Sequence, residues 1–280
     1  MMVEPLEWVP WLCRIAVGGL IFAGTTLGLY SFFVRQSRRQ TITLPGLETL
    51  RQRPFPQAMI IPLMAITLLF ALMAVEQGVA RVHPPASATS MLKGAFLYAS
   101  ILLMAVLGCL SYARTGFGSA FGSSSLPWTV AVGKGLRYGV EIIPAILVVT
   151  MVVSTIGEAL GFDMRSQDIF ECLDDATVPS WVRAALVVFA VGVAPVVEEL
   201  MFRGLLLPLV LKGRTFLFSA LLTSLYFSLM HLHAPSLLPL LLLSVGFSAG
   251  YAATGSILTP IAMHMVFNFT GLLLFFSEVK

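Results

Sequence analysis

The sequence predicts an all-α fold, a polytopic bundle of about eight transmembrane helices, and three observations carry that prediction. Hydrophobic residues make up 58% of the 280 residues and charged residues only 11%, with a mean hydropathy of +0.91, far outside soluble globular usage. The apolar residues gather into runs of about 20, the length that spans a bilayer. Ionisable side chains interrupt three of the later runs, where insertion of a charge costs roughly 2.5 kcal/mol or more and therefore marks function.

The runs fall near residues 11–34, 57–76, 92–113, 136–156, 181–207, 215–232, 236–254 and 257–277. The first follows Glu4 and Glu7 rather than a basic start and has no clear small-residue cleavage site, so it reads as a retained span and not a signal peptide. Residues 1–180 hold the first four helices and an acidic outer loop. Residues 181–280 hold the last four, and the two stretches form one membrane-embedded unit with no room for a soluble module. Cys13 and Cys109 lie in apolar runs and only Cys172 in a polar loop, so no disulfide framework is expected.

Charge in the loops sets the orientation. Arg35, Arg38, Arg39, Arg51 and Arg53 face a single Glu48 in the first loop; Arg114, Lys134 and Arg137 follow the third helix, and Lys212 with Arg214 mark the hairpin after the fifth. The loop after the fourth helix is acidic, with Glu158, Asp163, Asp168, Glu171, Asp174 and Asp175 against Arg165. Positive-inside counting makes the basic loops cytoplasmic and puts both termini outside, in a multi-pass protein of the cell membrane. The net charge of +3 is thus a topology signal and implies no nucleic-acid partner. Gly116–Ser125 reads as a flexible connector without phosphate-loop spacing, which excludes a nucleotide site. Arg14, Glu76, Lys93, Lys134, Arg137 and Glu141 lie near span ends and snorkel.

The interior polar residues have a geometry that spacing alone exposes. Glu199 and Arg203 are i and i+4 on one helical face and can pair, while Glu198 is rotated about 100° away. Phe227 with His231, and His264 with Asn268, repeat the i, i+4 spacing. Glu198 stands 16 residues before Arg214 and His231 stands 17 after it, so in a hairpin both lie about 25 Å from one tip. His264, about seven residues past the turn at Gly255-Ser256, is only about 10 Å deep. The fifth run is longer than a span needs, so roughly 12 Å of it is expected to project, tilt or bend near Pro208 and let the groups meet.

At these residues the chain resembles the CPBP family, which includes type II CAAX prenyl endopeptidases and bacterial proteins linked to bacteriocin processing and self-immunity. The resemblance rests on Pro195-xx-Glu198-Glu199-xxx-Arg203-Gly204, Phe227-xxx-His231 and His264-xxx-Asn268, in that order, and covers roughly residues 180–275. It implies an intramembrane endopeptidase acting on a membrane-associated peptide or lipidated protein. It also implies Glu198 as the catalytic carboxylate, His231 as its partner on the water, and His264 and Asn268 near the scissile carbonyl.

Elementary chemistry rebuilds that assignment. Peptide hydrolysis needs an activated water, a proton for the leaving amine and donors for the oxyanion, the last contributing about 3 kcal/mol each. Glu198 serves as general base, His231 holds the same water, the Asn268 amide and a donor form of His264 face the oxyanion, and Glu199 with Arg203 support them. No cofactor is expected on this reading. Zinc held by Glu198, His231 and His264 is the alternative, without an HExxH to favour it. Gly246-Phe247-Ser248-Ala249-Gly250 matches GxSxG, but in an apolar helix rather than at a strand-to-helix elbow, where Gly and Ser serve helix packing. A non-catalytic immunity or transport protein is the alternative from another class.

Overall fold

A computed structural model describes residues 8–37, 44–66, 68, 88–122, 126–162, 164 and 168–278. Among the sequence expectations, those on Glu4, Glu7, Arg38, Arg39, Glu76, Asp163 and Arg165 lie outside the described residues. The helices are α1 (Trp8–Ser37), α2 (Leu47–Arg51), α3 (Gln57–Ile66), α4 (Ala88–Ala113), α5 (Phe117–Phe121), α6 (Trp128–Ala159), α7 (Asp168–Asp174), α8 (Ser180–Leu211), α9 (Phe216–Met230), α10 (Leu237–Thr254) and α11 (Leu258–Glu278). No strand occurs among the described residues.

Over its described residues each apolar run lies in a helix, as a bilayer requires of backbone that must satisfy its own hydrogen bonds. Among the described residues five helices are long and apolar enough to cross a membrane: α1, α6, α8, the segment Ala234–Thr254 that ends in α10, and α11. The chain is a multi-pass integral membrane protein. Large apolar side chains point outward from these spans, Phe22 at 74% exposure among them, which suits a lipid-facing surface. α6 packs against α1, α10 and α11, so the N-terminal helices share one bundle with the later ones. Arg137 in α6 bonds Glu141 at 2.8 Å and donates to Ser31 of α1 at 2.7 Å, a tie between helices rather than snorkelling.

Two sequence expectations are corrected. α6 begins at Trp128, not near residue 136, so Lys134 and Arg137 belong to a helix and not to the preceding loop. Gly133 and Gly135 suggest a break in sequence, but Gly135 lets α11 come so close that an added Cβ would stand 2.7 Å from that of Ala262. Thr259 seals the approach by donating to the Ala131 carbonyl at 3.1 Å.

The stretch Gly116–Ser125 is likewise not a flexible connector over its described part. It folds into α5, whose Ala120 and Phe121 are fully buried. Phe121 accepts from the Ile257 N–H at 3.1 Å and from the Tyr251 hydroxyl at 3.2 Å, and its ring fills the space a side chain at Gly204 would need. Arg53 joins the same plug. It is 5% exposed and donates to the carbonyls of Ser119 at 2.5 Å and Gly255 at 2.9 Å, which makes it a buried staple rather than an orientation charge. Gly46 donates to Ala252 at 2.8 Å, and Gly122, at φ +72, backs onto the Gly255 carbonyl too closely for any side chain.

This plug explains how residues of unequal apparent depth meet. Phe121 holds the α10–α11 turn level with Gly204, ten residues or about 15 Å in from the Arg214 tip. His264 lies about 10 Å beyond that turn and so reaches about 25 Å, the depth of Glu198 and His231. The expected projection of α8 is therefore a recess at the α10–α11 turn, filled by α2 and α5.

On the opposite loop, α7, the link after it and the start of α8 pack Cys172, Leu173, Val178, Val182 and Leu186 against Leu272 of α11. The Thr177 hydroxyl and N–H, the latter at 2.8 Å, hold the exposed Asp175 carboxyl below the ordinary value. Cys13, Cys109 and Cys172 are free and buried. With Cys172 replaced, a cysteine at exposed Asp174 is expected to react with an impermeant external thiol reagent in intact cells and one at exposed Gln52 to be protected. The reverse pattern inverts the orientation.

Candidate active site

The site begins with the winding of α8. Residues Phe189–Val193 and Leu200–Leu206 are π-helical and flank a short α segment, Ala194–Glu199. Each π turn ends two residues before a proline, Pro195 and Pro208, whose rings displace the usual i−4 carbonyl and whose missing N–H breaks the ladder. Such π turns recur at functional sites because they rotate side chains out of regular register.

The first π turn leaves a specific acceptor free. Ala194 N–H bonds back five residues to the Phe189 carbonyl, and by the same spacing Ala190 would receive the N–H that Pro195 lacks. Asn268 fills that gap, its Nδ2 donating to the Ala190 carbonyl at 2.7 Å. Pro195 and Asn268 are thus two halves of one contact between α8 and α11.

Glu199 is the centre of the polar network. It is fully buried and its Oε1 accepts from Arg203 Nη1 at 2.6 Å, the i, i+4 pair expected from spacing. The same oxygen lies 2.9 Å from His264 Nδ1. Arg203 is 1% exposed; its Nη2 donates to the Ser244 carbonyl at 3.1 Å and to the Ser244 hydroxyl. The guanidinium lies 4.8 Å from the Phe227 ring and 5.1 Å from that of Phe247, between two aromatic faces. Glu199 therefore carries more than support for its neighbour on α8. It places His264 on α11.

The hydrogen bonds assign both imidazole protons. An ion-paired carboxylate only accepts, so His264 carries its proton on Nδ1 and turns Nε2 toward Glu198. His231, at the C-terminal cap of α9, bonds the Phe227 carbonyl through Nδ1 at 2.8 Å, which likewise leaves Nε2 as an acceptor. Glu198 Oε2 stands 3.9 Å from His264 Nε2, beyond hydrogen-bond reach. Among the described residues Glu198 Oε2 and Glu199 Oε2 are buried without a hydrogen-bond partner. Such orphaned acceptors are rare in folded proteins and mark a place for a third group.

Aromatic rings fix the imidazoles in position. Phe247 stacks on His264 at 4.9 Å, and Phe227 lies 4.7 Å from His231 and 5.9 Å from His264, so the two histidines flank one ring. Phe202 in turn meets Phe227 edge-on at 5.1 Å. The Glu198, Glu199, Arg203 and His264 side chains are in direct register, His231 joins across Phe227, and Asn268 is anchored to the α8 backbone. Sequence reasoning did not single out Ser244 or Phe247. Ser244 carries no pattern of its own; Phe247 stands beside the serine of the GxSxG match, whose role proves to be packing. Ser248 is fully buried and donates to the Ser244 carbonyl at 3.0 Å, while Gly246 and Gly250 admit Ile142 and Met263.

Among the described residues no group of three or more His, Cys, Asp or Glu side chains is arranged to hold a metal ion.

Comparison with known proteins agrees with the motifs. Residues 179–270 match the family model of the type II CAAX prenyl endopeptidase Rce1-like proteins, which bears out the resemblance to the CPBP family. No curated protein and no solved structure matches the chain.

Proposed function

We propose, from the type II CAAX prenyl endopeptidase Rce1-like family to which residues 179–270 belong, that this chain is an intramembrane endopeptidase whose nucleophile is a water activated by Glu198 and His231. The observation that carries the reading is the orphaned carboxylate oxygen Glu198 Oε2, which stands 3.9 Å from Nε2 of a His264 that Glu199 and Arg203 hold in place inside a helical bundle. Its substrates are membrane-associated peptides or lipidated proteins, which reach a buried site from the bilayer.

Glu198 takes one proton of the water, while His231 Nε2 accepts the other hydrogen as a bond and aims the oxygen at the scissile carbonyl carbon. The C–O bond forms and the carbonyl oxygen becomes an oxyanion. The second N–H of Asn268 faces it, and His264 donates from Nε2 when doubly protonated, with Glu199 as counter-ion. Protonated Glu198 then delivers its proton to the amide nitrogen, the C–N bond breaks, and an amine and a carboxylic acid leave. Arg203 acts through Glu199, keeping its carboxylate aimed at His264.

Comparative membrane peptidomics of cells carrying the wild-type chain or Glu198→Ala tests the activity. Peptides that accumulate uncleaved in the variant support it; identical peptide sets point to a transport or immunity role. The mechanism has its own test. Purified protein is expected to hold well under one equivalent of zinc and to keep its activity after thorough chelation. Stoichiometric metal that is lost in His231→Ala, with activity restored when metal returns to stripped wild-type protein, makes the enzyme metal-dependent.

A further inference from the structure

Between α3 and the α8–α9 hairpin lies a groove of about 530 Å³, the size of a small-ligand site. Ile60 and Met64 form one wall; Leu206, Leu209, Leu222 and Leu225 form the other. Two hydrogen bonds pin α3 across it, Gln57 Nε2 to the Lys212 carbonyl at 3.0 Å at one end and the Tyr226 hydroxyl to the Met64 carbonyl at 2.9 Å at the other. Between those ties the aliphatic walls stand apart.

Among the described residues the groove has two charged lining residues, Lys212 and Arg214 at the tip of the hairpin, and both are cations. The Lys212 ammonium gives one bond to the Phe55 carbonyl and keeps two further donors. Arg214 is exposed, its guanidinium 5.6 Å from the Phe218 ring. An aliphatic slot beside a bilayer favours hydrocarbon over water, and cations at a membrane boundary attract anionic headgroups.

We propose that this groove is a lipid site: one bilayer glycerophospholipid with an anionic headgroup lays an acyl chain along the aliphatic walls and sets its phosphate against Lys212 and Arg214. The lipid bridges α3 to the two helices that carry Glu198 and His231, and so braces the hairpin from outside the catalytic site. Occupancy does not depend on proteolysis.

Native mass spectrometry of the full-length protein, released from nanodiscs of phosphatidylcholine or of an equal mixture with phosphatidylglycerol, tests the site without any activity assay. One retained phosphatidylglycerol per chain is expected, favoured roughly tenfold or more over phosphatidylcholine. Lys212→Gln and Arg214→Gln each lower that retention about fivefold. Leu222→Trp, which fills the slot, removes retention of both lipids; Leu225→Phe serves where the larger change impairs folding. Equal retention of the two lipids, or retention indifferent to both filling variants, means annular lipid and overturns the site. It is overturned as well if no lipid is retained and Leu222→Trp raises KM for a lipid-anchored peptide but not for its unanchored counterpart, because the groove then takes the substrate's own anchor.

Discussion

Glu198→Gln is expected to lower kcat for peptide cleavage by about 10²–10⁴-fold, the range lost when a positioned general base is removed. The amide keeps the shape of the carboxylate but takes no proton from water. Because Glu198 Oε2 makes no hydrogen bond among the described residues, the fold loses little, and the thermal unfolding midpoint should stay near that of the wild type. His231→Ala is expected to fall into the same range through loss of the Nε2 acceptor. Ser248→Ala should remain within about twofold, since its hydroxyl only bonds back to the Ser244 carbonyl and takes no part in acid–base chemistry. Single-turnover cleavage of a membrane peptide, measured beside thermal unfolding in detergent, checks all three. Retained hydrolysis in Glu198→Gln removes this residue from the mechanism.

Arg203→Met is expected to destabilise the bundle by about 3–5 kcal/mol, the cost of leaving a buried carboxylate without its partner. Glu199 is fully buried and keeps only His264, while Ser244 loses both bonds from the guanidinium. Arg203→Lys should not rescue it, because an ammonium cannot reach Glu199 and Ser244 together or lie flat between Phe227 and Phe247. The double variant Glu199→Leu with Arg203→Met is expected to recover more than half of the lost stability, since an apolar pair replaces the ion pair without an orphaned charge. It should remain inactive, because His264 has lost the acceptor that fixes its proton. Denaturant or thermal unfolding in a fixed detergent, set against cleavage rate, measures both effects. A double variant no more stable than Arg203→Met would show that Glu199 and Arg203 are not coupled.

What was legible in the sequence follows the range of the interactions. The Glu199–Arg203 pair was legible because i, i+4 proximity is a property of one helix, and the structure places it at 2.6 Å. The meeting of three helices at one depth was legible only as a mismatch in length. Its resolution lay in Phe121, Arg53 and Gly122, residues that look like loop because Gly, Ser and Arg signal solvent when read locally. They are buried because the recess above the α10–α11 turn has to be filled, and carbonyls there need donors.

Composition, run length and spacing by themselves determined a multi-pass helical bundle and the ionisable side chains at its polar centre. A bilayer leaves no other way to satisfy the backbone, and charges survive there only with partners. The tertiary structure alone decided which partner each group takes: Glu199 rather than Glu198 for His264 Nδ1, 65 residues apart; Ala190 for Asn268, 78 apart; Gly255 for Arg53, 202 apart. Those choices depend on how deep each helix sits and how it is rotated. Depth and rotation are set by packing between helices and by the π turns before Pro195 and Pro208, neither of which a periodicity along one segment encodes.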